Sequence, residues 1–209
     1  MACNFLNDII GHSKQQGSPL FVASLDAEKC FDSVSHFSLF VKLIQILPYQ
    51  WLFLYKWYSK LNTVVKWQGQ YSKMFYVTRG TKQGSVLLPY LFNVFTDDLL
   101  KDICLKNDGI KIGGKTYNTF AYADDITVFC TPAPDLRNLI DVCVDYSVRW
   151  RFRFNKEKTK CIIIGKSNFI SEPTWYVNGQ SLENVKSLEI LGNLFTTTGS
   201  CINHVENRI

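Results

Sequence analysis

Apolar residues recur along the chain at two spacings, and each spacing predicts a different kind of element. Where they return every three to four residues, one face of a helix is apolar and can be buried. Pro48 follows the second such segment directly and is expected to end it, because proline cannot donate the next helical hydrogen bond. The spacing predicts helices over 4–10, 34–47, 51–58, 86–103 and 135–150.

Short apolar runs bounded by glycines predict strands between these helices. One run ends at Asp26, and another, 161–164, is apolar enough to be fully buried. Two hairpins are expected, one from 63–67 and 71–77 around Gly69-Gln70, and one from 110–112 and 117–122 around Gly113-Gly114. The predicted fold class is therefore α+β, an antiparallel sheet with helices packed on one face.

Two adjacent carboxylates, Asp124 and Asp125, lie between the apolar stretches 120–122 and 126–129. Neighbouring side chains on a regular strand point to opposite faces, so both acids can act together only if the chain turns there. A strand-turn-strand hairpin would place them at its tip, where a divalent cation would relieve their repulsion. Aspartate is also common in turns for purely structural reasons, so the pair alone leaves both interpretations open.

Two other segments bring further candidate chemistry to this hairpin. Asp26 ends the apolar run 20–25, so its carboxylate is expected at the end of a buried strand. Between the two acidic strand ends lies the basic, glycine-bearing loop 79–85, which leads into the helix predicted over 86–103. An acidic strand end, a Gln-Gly loop with its helix, and an Asp-Asp hairpin thus follow one another in order.

This order of motifs resembles the palm of reverse transcriptases, most closely the non-LTR retrotransposon branch (LINE-like, jockey-type). The matching segments are 25–36, then 83–85 with 89–93 and 97–99, then Tyr122-Ala123-Asp124-Asp125, then 155–160, and a divergent fifth motif at 188–192. The good matches cover roughly residues 20 to 165. Cys30, Leu88 and Ile190 depart from the usual family pattern, but none of them removes a carboxylate or the Gln-Gly pair.

The resemblance implies a catalytic centre that uses two Mg²⁺ ions, with Mn²⁺ able to substitute. Asp26 and Asp124 would be the bridging ligands, and Asp125 would assist them. Lys158 matches the family lysine that protonates the departing pyrophosphate as a general acid. A solvated basic stretch is the alternative for this lysine, since Lys156 and Lys160 flank it.

The resemblance also assigns the substrate-binding residues. Phe31 matches the ring that lies beneath the sugar and excludes a 2′-hydroxyl, although an aromatic residue near a strand end is often simply part of the core. Gln83 and Gly84 match the pair that contacts the dNTP, and Ala27 and Tyr122 belong to the same set. Three further acids are expected to be structural: Asp32 as the amino-terminal cap of helix 34–47, and Asp97 and Asp98 at a helix end.

Composition bears on the cellular compartment and on the partners expected for the chain. The chain has 209 residues, 46% of them hydrophobic, and 23 Lys and Arg against 18 Asp and Glu, for a net charge of +5. That charge is mildly favourable for phosphate backbones without being diagnostic. The seven cysteines contain no Cys-x-x-Cys pair, which predicts reduced, mostly buried thiols and an intracellular location, cytoplasmic or nuclear. No apolar run reaches the roughly 18 residues that span a bilayer, so no membrane partner is expected.

The expected organisation is a single reverse transcriptase domain fragment over 1–209. Its palm would occupy about 18–195, with the fingers and thumb largely missing and an endonuclease region expected elsewhere in a parent protein. The predicted function is Mg²⁺-dependent transfer of nucleotides from dNTPs to a DNA primer 3′-hydroxyl on an RNA template. A catalytically inactive, truncated retroelement remnant with residual nucleic-acid binding is the alternative.

Overall fold

A computed structural model of the chain describes residues 2–80, 86–166 and 171–203, without the side chains at 2, 3, 30, 88, 202 and 203. Within it the chain forms two compact units. The first unit comprises 1–28, 99–149 and 153–209, and the second comprises 29–98 and 150–152. The single domain over 1–209 stays a prediction.

The helices and strands have the following bounds. The helices are α1 (Ala2–Gln15), α2 (Cys30–Ser33), α3 (His36–Ile46), α4 (Gln50–Tyr58), α5 (Leu88–Cys104) and α6 (Ala133–Trp150). The strands are β1 (Leu20–Asp26), β2 (Asn62–Thr63), β3 (Lys66–Trp67), β4 (Gln70–Tyr71), β5 (Phe75–Tyr76), β6 (Ile110–Ile112), β7 (Lys115–Tyr117), β8 (Thr119–Tyr122), β9 (Asp125–Cys130), β10 (Lys160–Ile164), β11 (Tyr176–Val177), β12 (Gln180–Ser181), β13 (Glu183–Asn184), β14 (Ser187–Ile190), β15 (Asn193–Thr196) and β16 (Cys201–Asn203). Every predicted helix forms, with its ends shifted by a few residues.

A five-stranded sheet, in the order β13-β10-β1-β9-β8, organises the first unit. Strand β1 is central and pairs antiparallel with both β9 and β10. Leu20 and Val22 on one face and Phe21 and Ala23 on the other are all buried, as the continuous apolar run requires. The core of this unit joins that sheet to α1 and to β14–β15 through Leu6, Ile9, Ile10, Leu20, Val22, Phe129, Ile162, Leu188 and Phe195.

Strands β8 and β9 form the predicted Asp-Asp hairpin. Tyr122 pairs with Asp125, so Ala123 and Asp124 make a two-residue turn. Ala123 has a φ of +52°, the left-handed region that costs an alanine about 1–2 kcal/mol. A backbone held against its own preference is common where a side chain must be aimed for function.

The second unit begins with α2, α3 and α4. Ser35 caps α3 by accepting a hydrogen bond from the backbone N–H of Ser38 at 3.5 Å, so the prediction that Asp32 is the cap was wrong. Asp32 lies instead inside the short helix α2, which is separated from α3 by Val34 and Ser35. Asp97 and Asp98 are likewise within α5 and not at a helix end.

Both predicted glycine hairpins form, with altered boundaries. Strands β3 and β4 turn at Gln68-Gly69, one residue earlier than expected, and β2 pairs with β5 below them. Strand β6 pairs with β7 around Gly113-Gly114, so only 115–117 completes that hairpin. Residues 119–122 pair with β9 instead, because the two-residue glycine turn fixes the register at Ile112 opposite Lys115.

The cysteine thiols of the described residues are free. Cys130, Cys143 and Cys161 are buried, whereas Cys104 is exposed. Burial raises the pKa of Cys143 and of Cys161 to about 12, so both thiols stay protonated and unreactive at neutral pH. Among the described helices, none combines the length and the apolar character that crossing a bilayer requires.

Candidate active site

Asp26 and Asp125 lie directly opposite each other at one end of the central strand pair. The register of β1 and β9 places them as cross-strand partners, in the last of the six pairs that begin with Phe21 and Cys130. Directly opposed residues on antiparallel strands have their Cβ atoms about 4.5–5.5 Å apart and on the same face of the sheet. Two carboxylates at that separation repel each other unless a cation or a proton comes between them.

Asp124 adds a third carboxylate from the turn that precedes β9. The pKa of Asp125 is raised above its ordinary value, first by burial and then by the negative charges of Asp124 and Asp26. The Lys158 ammonium opposes this shift and lowers the pKa of Asp125. The site is therefore a cluster of like charges that one lysine neutralises in part.

Lys158 contacts this cluster through Asp26. Its Nζ lies 3.5 Å from Asp26 Oδ1, while 67% of the lysine side chain and 21% of the aspartate side chain are exposed. An ion pair with one exposed partner contributes little to stability, so the ammonium can move to another anion at low cost. Of the neighbouring lysines, Lys160 pairs with Glu183 at the edge of the sheet and not with the carboxylates.

A short turn, residues 155–159, holds Lys158 against Asp26. The backbone N–H of Asn155 donates to the carbonyl of Asp26 at 2.8 Å, and the N–H of Asp26 donates to the hydroxyl of Thr159 at 3.3 Å. Within the turn, Asn155 Oδ1 accepts from the N–H groups of Glu157 and Lys158. Both ends of the turn are thus fastened to the residue that carries the carboxylate.

The donor set fits a hard divalent cation in part. The converging side chains offer carboxylate oxygens only, which Mg²⁺ prefers over nitrogen and sulfur. Over residues 2–80, 86–166 and 171–203, no group of three or more His, Cys, Asp or Glu side chains could hold a metal ion by itself. Since Mg²⁺ is usually held by one or two carboxylates together with substrate phosphates, the acids could provide the protein ligands of such a site.

The other predicted site residues are distributed as follows. Ala27 is buried and forms an isolated bridge with Phe154, directly beside Asp26. Tyr122 is largely exposed at the end of β8. Phe31 belongs to the second unit, where its ring meets that of Phe92 edge-on at 4.9 Å. Gln83 and Gly84 lie outside the described residues.

Sequence reasoning assigned no role to three residues that the structure connects to the motif segments. Asn155 and Thr159 are part of the fourth motif, and only their backbone partners reveal that they fasten the turn to Asp26. In the second unit, His36 Nε2 lies 2.7 Å from the carbonyl oxygen of Gly80 at the entrance to the basic loop. Burial lowers the pKa of His36, which favours the neutral ring. No local sequence signal could have found the contacts of Asn155 and Thr159, because both residues lie more than a hundred positions from Asp26.

A sheet whose central strand and neighbouring hairpin both end in carboxylates is the arrangement of a polymerase palm. The profile of one family, described as reverse transcriptase (RNA-dependent DNA polymerase), matches residues 3–194. The chain belongs to this reverse transcriptase family. The match spans all of the segments that carry the resemblance in the sequence.

Curated relatives are polyproteins and polymerases of non-LTR retrotransposons. The Pol polyprotein of the R2DM element of Drosophila melanogaster is 29% identical over an alignment of 203 residues, and the match covers 91% of this chain and 19% of that protein. The RNA-directed DNA polymerase of the mobile element jockey from Drosophila funebris is 30% identical over an alignment of 177 residues, and the match covers 80% of this chain and 19% of that protein. The chain therefore spans about a fifth of the length of these relatives.

Solved structures of telomerase share the fold. Apo telomerase from Candida tropicalis, truncated from its C-terminal domain, gives a TM-score of 0.67 at 14% identity over 96% of this chain and 40% of that one. Telomerase from the same organism in complex with a TWJ fragment of telomeric RNA gives 0.69 at 12% identity, over 99% and 34%. The predicted α+β palm fold is confirmed.

Proposed function

We propose that this chain is the palm of an RNA-directed DNA polymerase of the non-LTR retrotransposon type. It extends the 3′-hydroxyl of a DNA primer with dNTPs on an RNA template. The observation that carries the proposal is the cross-strand position of Asp26 and Asp125, with Asp124 in the adjoining turn and Lys158 3.5 Å from Asp26. Membership in the reverse transcriptase family supports the reaction class.

The carboxylates hold the reacting groups in place by charge. Asp26 and Asp124 would bind two Mg²⁺ ions with Asp125 assisting, and Mn²⁺, which also takes oxygen ligands, would substitute. The ions would acidify the primer hydroxyl and neutralise the departing pyrophosphate. Burial, and after it the negative charges of Asp124 and Asp26, raise the pKa of Asp125, so a bound cation would offset an electrostatic cost that the fold itself maintains.

Lys158 acts as the general acid in this proposal. Its ammonium is held beside the reaction centre by Asp26, yet it is exposed enough to reach an oxygen of the leaving pyrophosphate. Donating a proton there removes negative charge from the leaving group as the bond to the α-phosphate breaks. The turn 155–159 keeps the lysine on the correct side of Asp26 between turnovers.

Four further residues are proposed to bind the incoming nucleotide. Gln83 and Gly84 would contact the dNTP, the glycine because it allows close backbone approach and the glutamine because its amide can donate a hydrogen bond. Ala27 and Tyr122 flank the acids in their motifs and would contact the substrate beside them.

Primer extension tests the reaction. We expect the 209-residue chain with Mg²⁺ to extend oligo(dT) on poly(rA), and we expect Asp124→Asn to lower the rate by about a hundredfold or more, as lost charge stabilisation usually does. Asp141→Asn, which changes an exposed acid on α6, is the matched control and should keep full activity. No extension by the unsubstituted chain would favour the inactive remnant. Extension that survives Asp124→Asn would reject the assigned site.

Phe31 is proposed to select the sugar. Phe31→Ala should raise the incorporation of ribonucleotides relative to deoxynucleotides, because a ring that blocks the 2′-hydroxyl has been removed. The ratio of the two rates is insensitive to the fraction of folded protein. Phe37→Ala, at an exposed phenylalanine of α3, is the control. An unchanged ratio in Phe31→Ala would reject the role.

A further inference from the structure

The hairpin of the second unit, residues 62–76, carries rings that nothing in the described structure covers. We name it the aromatic hairpin. Every one of its residues is exposed, including Trp67 at 74% and Tyr71 at 65%. A two-stranded hairpin without a core is marginally stable in water, and contiguous exposed apolar surface marks a contact site. The aromatic hairpin is therefore expected to be covered by a binding partner.

Along the chain, the charged residues on either side of the aromatic hairpin have a single sign. Residues 33–96 include seven Lys and Arg but no Asp or Glu, although the whole chain has 18 acids. Lys66 and Lys73 lie on the hairpin itself, and the Lys66 ammonium is 5.4 Å from the centre of the Tyr71 ring. Such a surface attracts a polyanion and repels an acidic partner.

A cavity of about 390 Å³ adjoins the hairpin where it ends. The residues that line it include Phe40, Tyr55, Tyr58, Tyr76 and Arg79. Aromatic rings together with a guanidinium suit a planar base with an attached phosphate. The cavity and the hairpin thus both combine aromatic rings with cationic side chains, and they are adjacent along the chain.

We propose that the aromatic hairpin binds a single-stranded nucleic acid, with bases stacked on Trp67 and Tyr71 and phosphates neutralised by Lys66 and Lys73. Protein interfaces are depleted in lysine, whereas single-strand binding surfaces combine cationic grooves with exposed aromatic rings. The binding requires neither the carboxylates nor dNTPs, so it goes beyond the polymerase reaction. Duplex nucleic acid, whose bases are already stacked, binds more weakly to such a surface.

Fluorescence anisotropy tests the stacking. The full chain is titrated into a fluorescein-labelled single-stranded RNA in EDTA, which excludes any contribution from divalent ions. We expect Trp67→Ser and Tyr71→Ser each to weaken binding by about tenfold, in the range usual for one stacked base. Tyr176→Ser, at an exposed tyrosine of the first unit, is the matched control and should bind as the unsubstituted chain does.

Salt dependence tests the phosphate contacts. Lys66→Gln and Lys73→Gln should each lower the slope of log K against log salt by about 0.7, the contribution of one neutralised phosphate on a single strand. Lys111→Gln, at an exposed lysine of the first unit, should leave the slope unchanged. Equal urea midpoints for all variants would show that affinity and not folding has changed.

Three results would overturn the proposal. The ring variants could bind RNA as tightly as the control, they could alter only the self-association of the chain, or they could alter only its binding to anionic vesicles. The second and third results would assign the hairpin to another copy of the chain or to a lipid surface. Failed primer extension with intact, hairpin-dependent RNA binding would reject the proposed polymerase function alone.

Discussion

Replacing Asp98 with alanine is expected to destabilise the second unit far more than removal of an ordinary surface acid does. Lys42 is the reason, because only 3% of its side chain is exposed while it carries an ammonium. Its Nζ donates to the carboxylate of Asp98 at 2.8 Å and to the carbonyl of Phe95 at 2.7 Å. The ring of Trp150 lies 4.2 Å from the same nitrogen. Without Asp98 the buried cation would lose its counter-ion.

The magnitude follows from the surroundings of the two partners. Removing one member of a fully buried pair costs about 3–5 kcal/mol. Asp98 itself is 49% exposed, and the carbonyl and the rings remain, so we expect about 2 kcal/mol, typical of one hydrogen bond to a charged group. The Arg137–Asp141 pair on α6 has a similar distance of 3.0 Å but both partners are about half exposed, so Asp141→Ala should cost about 0.5 kcal/mol or less.

Urea unfolding measures both variants under identical conditions, with the free energy of unfolding taken from the midpoint and slope. A double variant, Lys42→Met with Asp98→Leu, should lose less stability than Asp98→Ala alone, because an apolar pair of similar shape leaves no buried charge unpaired. If Asp98→Ala and Asp141→Ala shifted the midpoint equally, the reasoning from the buried ammonium would be refuted.

Three further substitutions test the site. Asp125→Asn should raise the urea midpoint in EDTA at pH 8, because the folded-state pKa of Asp125 is raised and its ionisation opposes folding. The gain should shrink as the pH falls through the folded-state pKa and vanish well below the ordinary value of 3.8, where the carboxyl is protonated in both states. A gain that grew as the pH fell would contradict this. Thr159→Val leaves the N–H of Asp26 without its acceptor and should cost about 1 kcal/mol with slower primer extension, both restored in Thr159→Ser. Ala123→Gly removes a left-handed alanine and should raise the thermal midpoint by the equivalent of about 1 kcal/mol, so a lower midpoint would count against strain in the turn.

The sequence predicted the helices and strands whose formation depends on residues close together in the chain. Helices α3 to α6 and strand β1 were found within a few residues, because the spacing of their apolar residues records which face is buried. The β8–β9 hairpin was found for a similar reason, since two acids interrupt two apolar strands. The order of the motifs then identified the palm.

The features that the sequence did not predict depend on a choice between two suitable residues or on contacts with residues far away in the chain. Asp32 and Ser35 are both good capping residues, but Asp32 lies within the short helix α2, so Ser35 caps α3. The turn between β14 and β15 begins with Leu191 at a φ of +50°. Leucine rarely adopts this conformation, so its presence in the sequence does not predict a turn. The contacts of residues 155–159 with Asp26 join segments more than a hundred residues apart, beyond the reach of any local pattern.

The position of Asp26 is set by two hydrogen-bonded ladders at once, since β1 is fixed in register by β9 on one side and β10 on the other. Inserting or deleting a single residue within β1 would force the strand either to expose its apolar face or to carry its final acid away from Asp125. Tolerance to length change should therefore be close to zero between Leu20 and Asp26, although conservative replacements of Val22 or Ala23 would leave the acid where it is. In copies of such a gene that decay by mutation, short in-frame indels in this segment would silence the site as thoroughly as loss of the aspartate itself.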